Sequence, residues 1–341
     1  MPDVAALDTY SVILVWTAVA IYTLSFIAYA VDLSKRSQES IEVKDAVRAP
    51  AREKVGALNA ASASSVGTVT RAAASSAVPA GAEPPKRRVF ARIGTALAAL
   101  GFVMHLAATV LRGVAAGRVP WSNMWEFAMT GTLLIMAVYL GVLFWKDLRF
   151  LGTFMTGLVT VLLASSSIFY VEIVPLMDPL KSAWLVIHVF VASLGTAFLA
   201  LAFGLSVVQL MQARRERLAV VAAENGEEPK RSFLRTLPSA EALEGLAYRL
   251  AIIGFIFWTF TLIAGAIWAQ DAWGRYWGFD VKEVWTFIIW VLYAGYIHAR
   301  ATRGWRGTRS AWLAIVGFAA VIFNFTIVNM YFDGLHAYSG L

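Results

Sequence analysis

The 341-residue chain contains no cysteine. Disulfide scaffolds, zinc–thiolate centres and cysteine nucleophiles are therefore excluded. Charge is scarce as well: Asp, Glu, Lys and Arg make up 15% of the residues, against about 25% in an ordinary globular protein. Histidine occurs only four times. No glycine loop of the phosphate-cradling kind is present, which argues against ATP-driven chemistry within the chain, and there is no repeat of fixed period. What remains is apolar: 59% of the residues are hydrophobic and 13% aromatic, with 13 Trp. A soluble domain of this size could not cover so much apolar surface in one core. The bilayer has to act as the solvent for most of the chain.

A hydrocarbon core of about 30 Å needs roughly 20 apolar residues as a helix. Eight runs qualify, near 11–31, 93–111, 125–145, 150–169, 183–212, 248–268, 284–299 and 312–331. The expected fold class is all-α, a polytopic membrane protein of about eight transmembrane helices. The first run lies where a signal peptide would, but Met1–Tyr10 has no basic residue and carries two Asp, so it is read as a retained span. The fifth run is long enough to tilt or to project beyond the bilayer.

The Lys and Arg residues orient the bundle. With the N-terminus outside, the inward segments 32–92, 146–149, 213–249 and 300–311 hold 24 basic residues, and the outward segments 112–124, 170–182 and 269–283 hold 5. Both termini are then expected on the outer side. The net charge of +7 becomes a cytoplasmic basic excess, and nucleic acid need not be invoked. Three parts follow: a first span at 1–31, a disordered basic cytoplasmic linker at 32–92, and a seven-span core at 93–341 with a cytoplasmic loop at 213–247. Low complexity supports the linker, because residues 57–85 contain ten Ala and five Ser among 29, too little bulky apolar content for a core.

The segment 268–285, on the outer side, is the most patterned. It holds Trp268, Trp273, Trp277 and Trp285, interleaved with Arg275, Asp280, Lys282 and Glu283. In helical spacing Trp273, Trp277 and Asp280 share a face, an aromatic platform with an anionic end. A large flat apolar ligand with polar edges, such as a porphyrin, suits it. An interfacial aromatic belt is the bland alternative. Of the histidines, His336 follows the last span outside, and His188 sits about 8 Å into the fifth span from its outer end. Both lie within reach of the platform. His298 closes the seventh span at the cytoplasmic end, and His105 lies in the second span. Ionisable groups in membrane helices are functional candidates by default, and haem iron accepts axial imidazole. A neutral, hydrogen-bonded core histidine is the competing reading for each, and it weighs most for His105, whose depth matches neither end.

The run Trp273-Gly-x-x-Trp277-Gly-Phe279-Asp280-x-Lys282-Glu283-x-Trp285 resembles the WWD motif of haem-handling proteins. More narrowly, it resembles that of the CcsA/ResC family of System II cytochrome c biogenesis, called CcsB in some bacteria. The resemblance extends to Arg112 and the segment from Arg118 to Glu126, to Trp184–His188, to the stretch from Trp290 to Arg300 around His298, and to Asn329 with Gly334-Leu335-His336. Together these cover roughly 93–341 apart from the cytoplasmic loop. Phe279 stands where the family commonly has Trp, and the insertion at 36–90 lies outside the pattern.

The resemblance implies haem (haem b, as transported ligand and substrate) and a haem-lyase type of activity within a holocytochrome c synthase complex. The partners would be a ResB/Ccs1-type membrane protein and apocytochrome c, in a bacterial cytoplasmic membrane with the WWD segment facing outside. By the same resemblance His188 and His336 are the axial ligands of haem iron at an outer site, and His298 is a ligand at an inner site. Trp273, Trp277, Phe279 and Asp280 form the surface under the ring, and no further catalytic residue is assigned. In fused relatives another intramembrane histidine comes from the partner portion, so His105 is not secured as the partner of His298. Arg275 or Lys282 is a candidate for the haem propionates, on proximity alone. From other classes, a haem-retaining electron-transfer cytochrome and a transporter or scaffold without haem remain open.

Overall fold

The computed structural model describes residues 3–61, 88–227, 232–302 and 305–336, with side chains left out over 37–61. The described residues form helices joined by short turns, with no strand among them. In chain order the helices are α1 (Val4–Ala61), α2 (Val89–Ala116), α3 (Met124–Leu143), α4 (Gly152–Ser166), α5 (Ala183–Glu224), α6 (Ala240–Trp273), α7 (Val281–Ala301), α8 (Thr308–Phe325) and α9 (Ile327–Tyr331). Among the described residues seven stretches are long and apolar enough to cross a membrane: α1 to Arg36, α2, α3, α4 with its flanking turns, α5, α6, and α8 together with α9. The remaining expected span, α7, has 21 residues, about 30 Å of helix. Lys282 and Glu283 at its start, His298 and Arg300 at its end, and several Trp and Tyr lower its apolarity.

Contacts gather the starts of α1, α3, α5 and α7 and the ends of α2, α6 and α8 at one pole, and the starts of α6 and α8 with the end of α7 at the other. One pole carries the Trp-rich segment; the other carries most of the basic residues. Packing is most extensive between α5 and α6 and between α1 and α2. On the first of these pairs Gly195 and Gly254 face one another, and a Cβ on Gly195 would lie 3.3 Å from the carbonyl oxygen of Gly254. Small residues let helix backbones approach closely, which matters in lipid, where no hydrophobic effect drives helices together.

Charged locks hold both poles. At the Trp-rich pole the buried guanidinium of Arg112 donates to Asp8 at 2.5 Å, Glu126 at 3.0 Å and the Val171 carbonyl at 2.7 Å. Arg118 completes the pairing of Glu126 at 2.6 Å. That network joins the start of α1, the end of α2, the start of α3 and the segment leaving α4. At the basic pole Glu244 accepts from the Gly307 N–H and the Ser310 hydroxyl and pairs with Arg300 at 3.1 Å. Buried charges require such pairing.

Two differences from the sequence reading stand out. Helix α1 runs on to Ala61, through a stretch assigned to the disordered linker. Residues 36–61 are rich in Ala, Glu, Lys and Arg, good helix formers. The rest of the low-complexity stretch, 62–87, lies outside the described residues. The second difference concerns the platform: α6 ends at Trp273, capped by Gly274 in the left-handed conformation at φ 70°. Trp273, Trp277 and Asp280 therefore do not share one helical face. Residues 274–280 form an irregular strap, in which Phe279 also has positive φ, at 57°.

Candidate functional site

The strap is held by the helix that follows it. Asp280 is the N-cap of α7 and forms a capping box with Glu283, satisfying donors that a helix start leaves free. One oxygen of Glu283 accepts from the backbone N–H groups of Gly278 and Asp280, at 2.8 and 3.0 Å. Arg275 folds back over Gly278, whose missing side chain leaves room for the guanidinium, and approaches Glu283 at 3.9 Å.

Beneath the strap lies a cavity of about 150 Å³ that opens to solvent. Its wall comes from the starts of α3, α5 and α7 and the ends of α6 and α8. Aromatic rings dominate it: Trp121, Trp258, Trp268, Trp273 and Trp277 all line it, with His188, His336 and Lys282 as polar groups. Apolar clefts with a few convergent polar groups are the usual form of ligand sites.

His188 and His336, far apart in the chain, both contact one ring, the Trp268 indole. The His188 imidazole stacks on the Trp268 indole at 5.7 Å between centroids and 17° between planes. His336 meets the same indole edge-on at 5.3 Å, and Trp273 at 5.0 Å. Trp268 itself is buried, and its N–H donates to the Pro179 carbonyl at 2.9 Å. Each imidazole is held at Nδ1: His188 by the Thr261 carbonyl at 3.0 Å, His336 by the Asp280 carboxylate at 2.7 Å. Neither Nε2 has a protein hydrogen bond among the described residues, so both are left free for another partner. Gly265 makes the fit of His188 possible, since a Cβ there would come within 2.7 Å of Cε1.

The Asp280 carboxyl is worked on from two sides. Burial raises its pKa, and the hydrogen bonds from His336 and the Leu335 N–H outweigh that, holding it down to about 2. Burial also pushes His336 below the ordinary histidine range, against the pull of Asp280. An ionised carboxylate can only accept, so His336 donates from Nδ1.

The other expected site residues fall as follows. Trp273 and Trp277 line the cavity, as does Lys282. The Lys282 ammonium contacts the Asn329 amide oxygen, and Asn329 reaches Met124 in turn. Arg275 does not line the cavity. Phe279 is 79% exposed and points away from it. Asp280 lies behind His336, against a second, small cavity shared with Gly334 and Phe332, rather than on the aromatic wall. His298 sits in the last turn of α7 at the opposite pole and is exposed. His105 is fully buried, 3.4 Å from the Tyr22 hydroxyl between α1 and α2, and lines neither of these two cavities. The sequence reading includes Trp268 in the patterned segment but not as the ring both histidines contact; Gly265 beneath His188 and Trp121 on the wall are not among the expected site residues. The spacing of Gly265 and Trp268, one helical turn apart, was the available signal for the first two.

Fold and cavity define a polytopic α-helical membrane protein that presents two imidazoles, Nε2 free, in a tryptophan-walled cavity at one pole. The cytochrome c assembly protein family matches residues 97–336, and the chain belongs to that family. Its relatives include the "Cytochrome c biogenesis protein CcsA" of Guillardia theta, 35% identical over 242 residues, 67% of this chain and 80% of that protein. Proteins of the same name are similar from Synechococcus sp. (strain JA-2-3B'a(2-13)), 31% identical over 76% of this chain and 88% of that one, and from Synechococcus elongatus, 32% identical over 74% and 89%.

Proposed function

We propose that this protein serves cytochrome c biogenesis as the haem-handling subunit of a System II cytochrome c synthase, working with a ResB/Ccs1-type membrane partner. One observation carries the proposal: His188 and His336 converge on one aromatic cavity with both Nε2 atoms unengaged. Haem b is the substrate the residues fit. Its flat apolar ring suits the indole walls, and its iron accepts two imidazoles. Lys282, which lines the cavity, is better placed than Arg275 to receive a propionate by a charge-assisted bond.

In this reading His188 and His336 hold the iron while the walls exclude water and fix the ring. The reaction is addition of a substrate thiol across a haem vinyl group. A sulfur–carbon bond forms, and the thiol hydrogen goes to the other vinyl carbon. Both thiols belong to the Cys-x-x-Cys-His segment of apocytochrome c, so a chain without cysteine loses nothing. Its contribution is orientation, which can supply about 7 kcal/mol or more of a barrier. The histidine of the incoming segment displaces one enzyme imidazole and so releases the product. The Trp-rich pole faces outward across a bacterial-type cytoplasmic membrane, on the strength of the 24 to 5 basic asymmetry and the positive-inside rule. His298, exposed at the opposite pole, is assigned to an inner haem site completed from outside this chain.

The test is the visible spectrum of detergent-purified protein, wild type beside His188→Gly and His336→Gly, with and without imidazole. Soret and α-bands that fade in both variants and return with imidazole support the reading. A wild type that carries no haem, even when co-expressed with its partner protein, overturns it in favour of a scaffold with an aromatic belt.

A further inference from the structure

The WWD aspartate does not face the cavity, and its two oxygens are spoken for. Oδ2 of Asp280 receives the Nδ1 proton of His336 at 2.7 Å, and Oδ1 receives the backbone N–H of Leu335 at 2.9 Å. The same carboxylate accepts from the Lys282 N–H at the start of α7. Gly334 is built to the same contact, because a Cβ there would overlap Oδ1. Thus the segment from Gly334 to His336, which follows the last helix and has no secondary structure of its own to hold it, is fastened to the start of α7 through one side chain.

We propose that Asp280 is the positioning residue for His336: by accepting at Nδ1 it fixes the tautomer whose Nε2 lone pair faces the cavity, and it makes this imidazole the stronger electron donor of the pair. The second half follows from the partners. A carboxylate behind Nδ1 draws the proton toward itself and raises the basicity of the far nitrogen, as it does behind metal-bound histidines generally. A backbone carbonyl, which is what His188 has, does so less. The two imidazoles are therefore unequal ligands, and the inequality is set at Asp280. This inference rests on the haem reading above only for its second half; the tautomer is a property of the haem-free protein.

The experiment has an arm for each half. In haem-free protein carrying ¹⁵N-histidine, with the His336 signals assigned by their loss in His336→Gly, the wild type is expected to show Nδ1 protonated and Nε2 not. Asp280→Asn and Asp280→Ser are expected to shift that population toward the opposite tautomer. The serine variant retains a cap for α7, so a change there cannot be laid to a lost helix start. In haem-loaded protein the same variants are expected to retain haem about tenfold less tightly and to show a raised reduction potential. In a His336→Gly background without added imidazole, Asp280→Asn should cause no further loss, since a residue acting through another is non-additive with it. A wild-type His336 not protonated at Nδ1, a tautomer unchanged in both variants, or a loss that adds in full to that of His336→Gly overturns the inference. If the tautomer behaves as expected but no variant or wild type holds haem, the functional reading fails and the positioning role stands.

Discussion

Gly265 of α6 and His188 of α5 share one contact: the imidazole lies where any side chain on residue 265 would have to be, 2.7 Å from Cε1 to the position of an added Cβ. The ring is thereby clamped between the α6 backbone and the indole of Trp268, and its Nδ1 is tied to the Thr261 carbonyl of the same helix. A histidine from one helix is oriented wholly by the next. The extensive α5–α6 packing, allowed by Gly195 and Gly254, is what makes that orientation rigid.

Gly265→Ala follows directly. The added methyl must push the imidazole off its place, so haem retained by the purified protein should fall by about tenfold, with the helical content unchanged. In the His188→Gly background without added imidazole the alanine has no ring to displace, and the haem still retained should not change. A similar loss in both backgrounds would show that the methyl disturbs the helix pair instead.

Trp268 separates packing from ligand binding. Trp268→Ala removes a buried ring that touches both histidines and Trp273, and leaves the Pro179 carbonyl without its donor. The expected cost is about 3–5 kcal/mol, seen as a lowered thermal midpoint in detergent together with loss of haem. Trp268→Phe fills most of the space and keeps a face for His188, so it should recover most of the stability. Equal destabilisation by both variants would mean that the hydrogen bond to Pro179 matters more than the ring.

How far this was legible beforehand varies by residue. The spans came from apolar runs and the poles from the placement of Lys and Arg, because the bilayer imposes length and charge rules on sequence directly. His188, His336, Trp273 and Trp277 were legible because so few histidines and so dense a tryptophan cluster leave few alternatives. Trp268 and Gly265 were not assigned, since their roles exist only where α5 meets α6. The shared face of Trp273, Trp277 and Asp280 was misread by continuing a helical period past Gly274, whose left-handed backbone ends α6. Beyond it the strap turns Phe279 outward and sends Asp280 behind His336 rather than under a ring.

The Arg112 network predicts a purely structural phenotype. Arg112→Met leaves Asp8 and Glu126 with a missing partner in a buried setting, though Tyr170 and Arg118 still reach them. Breaking one side of a buried pair costs roughly 3–5 kcal/mol, and the remaining partners place this case near the lower end. Thermal unfolding and yield in detergent should fall, while haem bound per folded molecule should not, because none of these groups lines the cavity.

Lys282 and Arg275 stand close in sequence but differ in what they face, and charge removal should tell them apart. The Lys282 ammonium lines the cavity beside the Asn329 amide and the Phe325 ring, with the Asp280 carboxylate near enough to act on its charge. A propionate arriving there gains a charge-assisted bond worth about 1.5–3 kcal/mol. Arg275 is committed to the strap, beside Glu283 and over Gly278. Lys282→Gln should therefore weaken haem retention by about tenfold at the lower end of that range and about a hundredfold at the upper end, and a haem dimethyl ester, which has no anionic propionate, should bind wild type and variant alike. Arg275→Gln should leave haem retention within a factor of about two while loosening the strap, seen as faster amide exchange at Gly278 and Asp280. If Arg275→Gln proved the more damaging for haem and the ester still bound wild type better than the lysine variant, the propionate contact would belong to the strap in its loaded state and not to the cavity wall.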